Sequence, residues 1–308
     1  MENALRVSHV SKDYPGFSLK DISFELPKGS VMGLIGQNGA GKTTTLKSIL
    51  GLVSSEGEIE ILGSVSGKET LAKKEEIGVV FDEMNFYETL TPEETGKIFN
   101  KIYKNWDRKQ YQEYLKKFRL PEKKEIKTFS KGMQVKLSLA VALSHHAKLL
   151  ILDEATSGLD PVMRDEILDI FLDFVQDEEH SILVSSHITS DLEKIADYIT
   201  FIDNGRVLMS KPKDELIYEY GIARCKESQF LQMDQSEILT YRKQEYQYGA
   251  GNCEHLTRFG RKTDGFRNFF RHKDVKILSN PAESLPLPIA KWKMNTSLEA
   301  KLNHRAVA

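Results

Sequence analysis

Two cysteines, Cys225 and Cys253, are all that the 308 residues contain. With no metal-ligand spacing they exclude a disulfide scaffold and a zinc-ribbon site, and they fit reduced thiols in a cytosolic protein. Long apolar runs are missing as well. No stretch approaches the ~20 residues that span a bilayer, so any membrane-crossing part has to come from another chain. The N-terminus has no basic segment followed by an apolar one, and nothing there suggests secretion. Sustained heptads are absent, which argues against a long coiled coil. Net charge is only −2, but residues 240–308 hold 13 Lys/Arg against 6 Asp/Glu, a balance of +7 that leaves −9 for the rest. A basic tail of this kind suits acidic lipid or nucleic acid, or is a solvated appendage. What remains, 40% hydrophobic and 29% charged residues, is enough for a full core in one large domain or two modest ones.

Against that background one run stands out. Gly36-Gln37-Asn38-Gly39-Ala40-Gly41-Lys42-Thr43 reads G-x-x-x-x-G-K-T and continues into Thr44. It is preceded by Val31-Met32-Gly33-Leu34-Ile35, suited to a buried parallel strand. It is followed by Thr43 to Leu50, with Leu46, Ile49 and Leu50 at helical spacing. A glycine turn ending on a helix N-terminus aims several backbone N–H groups and the positive end of the helix dipole at one place. Lys42 can then reach the β- and γ-phosphates of a nucleoside triphosphate, and the Thr43 hydroxyl can ligate Mg²⁺.

The rest of the chain sets this loop in an α/β protein. Leu5 to Val10 and Phe17 to Leu26 alternate apolar and polar residues around a turn at Pro15-Gly16, which predicts an antiparallel opening. Further strands are expected at Glu58–Leu62, Ile77–Phe81, Leu149–Leu152 and Ile182–Ser185. A hairpin at Asp203-Asn204-Gly205 should join Ile199–Ile202 to Arg206–Met209. Thr91-Pro92-Glu93-Glu94 reads as a capping box and opens a helical stretch to about His146, interrupted near Pro121 and at Thr128-Phe129-Ser130. Pro161 to Gln176 forms a helix that Asp160 can cap. The expected fold is a phosphate-loop NTPase core with a mixed sheet, an N-terminal antiparallel β subdomain and a helical subdomain over about 84–146. Residues 1–220 would form this domain and 221–308 a small basic region. In that region Arg267–Arg271 could be a helix and Asp274–Ile277 a strand, and nothing marks a site.

Leu149-Leu150-Ile151-Leu152 ends in Asp153-Glu154, 111 residues after Lys42. In a phosphate-loop enzyme the first carboxylate holds Mg²⁺, and the second can orient and deprotonate the attacking water. With these residues the sequence resembles the nucleotide-binding subunit of an ABC transporter over roughly residues 3 to 220. Ser130-Lys131-Gly132-Met133-Gln134 stands where the family signature lies, 23 residues before Asp153. Ser157-Gly158-Leu159-Asp160 matches the D-loop, and His187 stands at the switch histidine, 34 residues after Asp153. Tyr14 matches the aromatic that stacks on adenine. The resemblance implies that Lys42 and the 36–44 backbone bind the phosphates of ATP, that Thr43 and Asp153 hold Mg²⁺, and that Glu154 is the general base. It implies His187 as the γ-phosphate sensor. Ser130 and Gly132 would act in trans on ATP held by a second ATPase subunit, in a homodimer or a heterodimer, with Asp160 in the D-loop between them.

Two departures from the family pattern matter. Where its Q-loop has Gln, this chain has Asp82, which can ligate a metal but cannot donate a hydrogen bond; Asp82 is therefore an expected Mg²⁺ ligand. Lys131 replaces a signature glycine. Ser-Lys-Gly-Met and an acidic Q-loop together resemble the exporter-type branch, whose permease is a separate six-helix membrane subunit. The implied function is an ATPase that powers export from the inner face of the cell membrane, with no nucleic acid expected. The alternatives are a soluble ABC-type ATPase on ribosomes or nucleic acid, and an import ATPase subunit. Beyond Asn280 the resemblance stops.

Overall fold

The computed structural model describes residues 2–65, 73–82, 86–225, 238–248, 251–261 and 277–278. The chain divides into two compact units, Met1–Pro212 and Lys213–Ala308, and the break falls ahead of the expected end at 220.

The first unit opens with β1 (Asn3–Tyr14) and β2 (Phe17–Pro27), an antiparallel pair folded at Pro15-Gly16. Together with β4 (Glu56–Ile61) and β5 (Ser64–Val65) they make a four-stranded sheet in the order β2-β1-β4-β5. A second sheet has the order β10-β9-β3-β8-β7-β6. Its strands are β3 (Val31–Ile35), β6 (Ile77–Val80), β7 (Leu149–Asp153), β8 (Ser181–Ser186), β9 (Tyr198–Asp203) and β10 (Arg206–Pro212). All its pairings are parallel except that of β10 with β9. Every residue of β3, β7 and β8 is buried, as strands covered on both faces require.

One apolar core joins the two sheets. Leu5, Leu19 and Ile22 of the antiparallel sheet share it with Met32, Leu34, Ile151 and Leu183 of the parallel one. Helix α1 (Lys42–Ile49) contributes Leu46 and Ile49 to the same core. The β9–β10 turn holds this assembly together. Asn204 and Gly205 both have positive φ, 46° and 72°, the geometry of a tight hairpin. Gly205 donates its N–H to the Ala40 carbonyl at 2.9 Å and accepts the Lys20 N–H at 2.7 Å.

The helical region comprises α2 (Pro92–Ile102), α3 (Arg108–Lys117) and α4 (Lys131–Leu143). The capping box at Thr91 and Glu94 is present, and the bond from the Thr91 N–H holds the Glu94 carboxyl below its ordinary range. The predicted continuous stretch breaks once more, at 103–107. There Asp107 caps α3 by accepting the Lys109 and Gln110 N–H groups at 2.8 and 2.9 Å. Aromatic rings fill the gap: Phe99, Tyr103 and Trp106 stack in turn, and Tyr103 lies 4.0 Å from His145. Helix α4 packs closely on β6, since a Cβ on Gly78 would lie 2.5 Å from Leu150 Cδ2 and 3.0 Å from the Ala142 carbonyl oxygen. Helix α5 (Pro161–Phe174) is capped as expected, with the Met163 N–H 3.0 Å from Asp160 Oδ1. A short α6 (Thr189–Ile195) follows β8.

The second unit holds α7 (Lys213–Glu219) and strands β11 (Tyr220–Cys225), β12 (Ile238–Tyr248), β13 (Gly251–Arg261) and β14 (Ile277–Leu278). They form an antiparallel sheet in the order β12-β13-β11-β14. The helix expected at Arg267–Arg271 lies outside the described residues. So does most of the strand expected at Asp274–Ile277, of which Ile277 is described, in β14.

Candidate active site: a phosphate loop and a carboxylate pair

Parallel pairing of β3 with β8 and of β8 with β7 brings three strand ends together, in the register Ile35↔Ser186 and Asp153↔Ser185. Ligands of open parallel sheets bind outside these carboxyl ends. After Ile35 the chain turns through Gly36–Gly41 into α1. Two glycines are required by space and conformation. A Cβ on Gly36 would lie 2.5 Å from the Ile202 carbonyl oxygen, and Gly41 caps α1 in the left-handed region at φ 114°. No acidic residue stands in the first turn of α1, so the positive end of its dipole is unopposed. Gln37, Asn38, Gly39 and Thr43 are exposed, Thr44 is half-buried, and Ala40 is buried.

Lys42 is only 6% exposed. A buried ammonium needs a full set of partners, and it has them. Nζ donates to the carbonyls of Gly36 at 2.9 Å and Gln37 at 3.4 Å, and it lies 3.2 Å from Glu154 Oε1. The other Glu154 oxygen, Oε2, accepts from His187 Nδ1 at 2.6 Å and from the His187 N–H at 3.4 Å. An ionised carboxylate only accepts, so Nδ1 carries the proton in this contact. Glu154 itself has φ 52°, a left-handed backbone that a non-glycine residue keeps only when its surroundings enforce it. Its N–H is held by Ser185, 3.0 Å from Oγ and 3.1 Å from the carbonyl oxygen.

Ser185 is the residue that sequence reasoning missed. Fully buried, it donates its hydroxyl to Asp153 Oδ1 at 2.6 Å while accepting the Glu154 N–H. One side chain therefore fixes both members of the carboxylate pair. The available signal was its place next to Ser186 and His187, on a strand that pairs with β7. The hard oxygens of Thr43 and Asp153 fit a small divalent cation such as Mg²⁺, which takes one or two protein oxygens and completes its shell with water and phosphate. A protein cage is not needed for this, and among the described residues no group of three or more His, Cys, Asp or Glu is gathered to make one.

None of the other expected site residues makes a hydrogen bond or ion pair with Lys42, Asp153 or Glu154. The Tyr14 ring is 40% exposed at the end of β1, with Lys12 Nζ 5.3 Å from its centroid. Ser130 caps α4 through the Met133 N–H at 3.3 Å. Gly132 is buried where a Cβ would meet Met163 Cγ at 2.8 Å. Asp160 is occupied as the α5 cap. Asp82, expected at the metal, is paired with Lys131, Nζ to Oδ1 at 2.6 Å.

What surrounds Lys42 can take a triphosphate on the loop, hold a cation beside it and present a carboxylate to water. That defines the class, a phosphate-loop ATPase. Residues 19–157 match the family model described as ABC transporter. The chain belongs to that family, as an ATP-binding and ATP-hydrolysing member. It is 37% identical over 224 residues to the linearmycin resistance ATP-binding protein LnrL of Bacillus subtilis (strain 168), covering 70% of this chain and 72% of that protein. It is 36% identical over 214 residues to the lantibiotic transport ATP-binding protein SrtF of Streptococcus pyogenes, covering 68% and 91%. Among solved structures, the ATP-binding subunit of an ABC transporter aligns with a TM-score of 0.61 at 29% identity, over 69% of this chain and 91% of that one.

Proposed function

We propose that this chain is the ATPase subunit of an exporter, working in pairs at the inner face of the cell membrane on a separate permease. The observation that carries the ATPase half of this reading is Glu154, held between Lys42 and His187 at the mouth of β7. Lys42 Nζ, 3.2 Å from Glu154 Oε1, offsets the charge of the base. Phosphates entering the loop compete for that ammonium, which leaves Glu154 with the imidazole and free to accept a proton from water. Ser185 keeps the Glu154 backbone and the Asp153 carboxylate in place during this exchange. Mg²⁺, when bound, would neutralise phosphate charge, with Thr43 and Asp153 as its protein oxygens. The exposed Tyr14 ring offers an apolar face to adenine.

The pairing rests on the signature segment. Ser130 and Lys131 are exposed at the start of α4, and the Ser130 side chain caps only its own helix, which suits a triphosphate presented by a second subunit. Export is supported by two relatives, a linearmycin resistance protein and a lantibiotic transport protein, so an antimicrobial compound is the favoured cargo. No helix among the described residues is long and apolar enough to cross a membrane; the permease supplies the path.

The test is Glu154→Gln with an affinity tag, expressed in its native host and purified with ATP from detergent-solubilised membranes and from the soluble fraction. This variant should bind ATP, hydrolyse it at least ~100-fold more slowly and carry a polytopic membrane protein in fixed ratio. Ribosomal proteins or nucleic acid, with no membrane partner, would replace the exporter with the soluble alternative. An accompanying solute-binding protein would make it an importer.

A further inference from the structure

The two places where the chain departs from the family pattern meet each other. Asp82 follows β6 and Lys131 opens α4, 49 residues apart in sequence, yet Nζ and Oδ1 are 2.6 Å apart. An amide position has become an acid, a glycine position has become a base, and the charges are opposite.

Local physics gives the pair a purpose. A lysine at the first position of a helix faces the positive end of its dipole, and the first turn of α4 contains no acidic residue to offset it. Asp82 supplies that charge from another element. The lysine stem is also guided. A Cβ on Gly158 would lie 3.6 Å from Lys131 Nζ and 3.7 Å from its Cδ, so the side chain runs along the bare backbone of the D-loop to reach Asp82. The end of β6 and the start of α4 are thereby tied at one ammonium, whose stem passes beside the D-loop at Gly158. Both partners are close to half exposed, and such pairs contribute little to folding stability. What the pair can set is the pose of the signature turn.

We propose that Asp82 and Lys131 are a positioning pair, a strut that holds the first turn of α4 against β6 and Gly158 and so presents Ser130 and Gly132 at a fixed angle to the facing subunit. This rests on the ATPase reading above. It gives Asp82 a partner other than the metal, and it makes Asp82 a lever on the signature.

Asp82→Asn, Lys131→Gln, Lys131→Arg and the exchange of Asp82→Lys with Lys131→Asp test it in the full chain. ATPase rates are measured against ATP and against Mg²⁺, and amide hydrogen exchange at residues 131–133 is followed without nucleotide. Either neutral variant should lower kcat by about three- to tenfold with KM for ATP little changed, and should speed amide exchange in the first turn of α4. Lys131→Arg should stay near wild type, and the charge exchange should recover at least half of the loss. An exchanged pair no better than the poorer single variant would overturn the strut. A large rise in the Mg²⁺ needed by Asp82→Asn would do the same, since it marks a metal ligand. If the wild-type chain turns over no ATP, the ATPase reading fails by itself. The exchange rates at 131–133 then still decide the strut, and rates unaltered by Asp82→Asn refute it.

Discussion

Lys42 and Lys131 each open a helix at its N-terminus, and their surroundings could hardly differ more. Around Lys42 the central groups, Lys42, Asp153 and Ser185, are buried, Glu154 is partly buried and only His187 reaches the surface, and each is committed: ammonium to two carbonyls and Glu154, Glu154 to His187, Asp153 to Ser185. Around Lys131 the groups are exposed, and the ammonium has one carboxylate, from a neighbouring segment. Buried polar networks are rigid because leaving any member unpaired is costly. Exposed pairs are cheap to break. The phosphate-loop side is therefore built to keep one geometry through a reaction, and the signature side to change partners.

Substitutions can break this contrast or sharpen it. Glu154→Gln should have the largest effect, a loss of about 10²–10⁴ in kcat with ATP binding retained; hydrolysis near the wild-type rate would remove Glu154 as the base. Ser185→Ala is expected to follow. It takes away the groups that orient Asp153 and the Glu154 N–H, and should lower kcat by about 10–100-fold while raising the Mg²⁺ needed for half-maximal rate. A Ser185→Ala enzyme with an unchanged Mg²⁺ profile would show that Asp153 needs no orienting partner.

Gly78→Ala probes the seam between the two sides. Its new methyl would strike Leu150 and the α4 backbone, at a cost of about 1–3 kcal/mol in stability by denaturant unfolding. Smallest is a pH effect from the helical region. Burial against Tyr103 pushes the His145 pKa below its ordinary value. As pH falls through about 6.5 the unfolded chain takes up the proton first, so stability declines there and levels off below the folded-state pKa. The melting temperature of His145→Gln should depend less on pH between 7.5 and 5.5 than that of the wild type.

The buried side was the more legible in sequence. Apolar runs at Val31–Ile35, Leu149–Leu152 and Ile182–Ser185 can be little else than strands covered on both faces. The loop between them carries its chemistry in consecutive residues. What escaped the sequence is what depends on distant partners. The bonds of Ser185 to Asp153 and Glu154 follow from strand order, and the pairing of Asp82 with Lys131 follows from how α4 meets β6. The break at 103–107 was hidden because Tyr103 and Trp106 continue an aromatic helical pattern, while the stop comes from Asp107 capping the next helix. In the tail, Tyr241–Tyr248 is mostly polar and shows no strand alternation, and the glycines read as interruption, yet Ile238–Tyr248 pairs with Gly251–Arg261 as β12 and β13, Tyr248 opposite Gly251.

The Gly205 contacts carry a mechanical consequence. One residue grips the Ala40 carbonyl in the phosphate loop and the Lys20 N–H in β2, and β2 is hydrogen-bonded to the strand that ends at Tyr14. The wall for the base and the cradle for the phosphates are thus a single casting. The signature turn is outside that casting, and its tie to the end of β6 is the single exposed ion pair of Asp82 with Lys131.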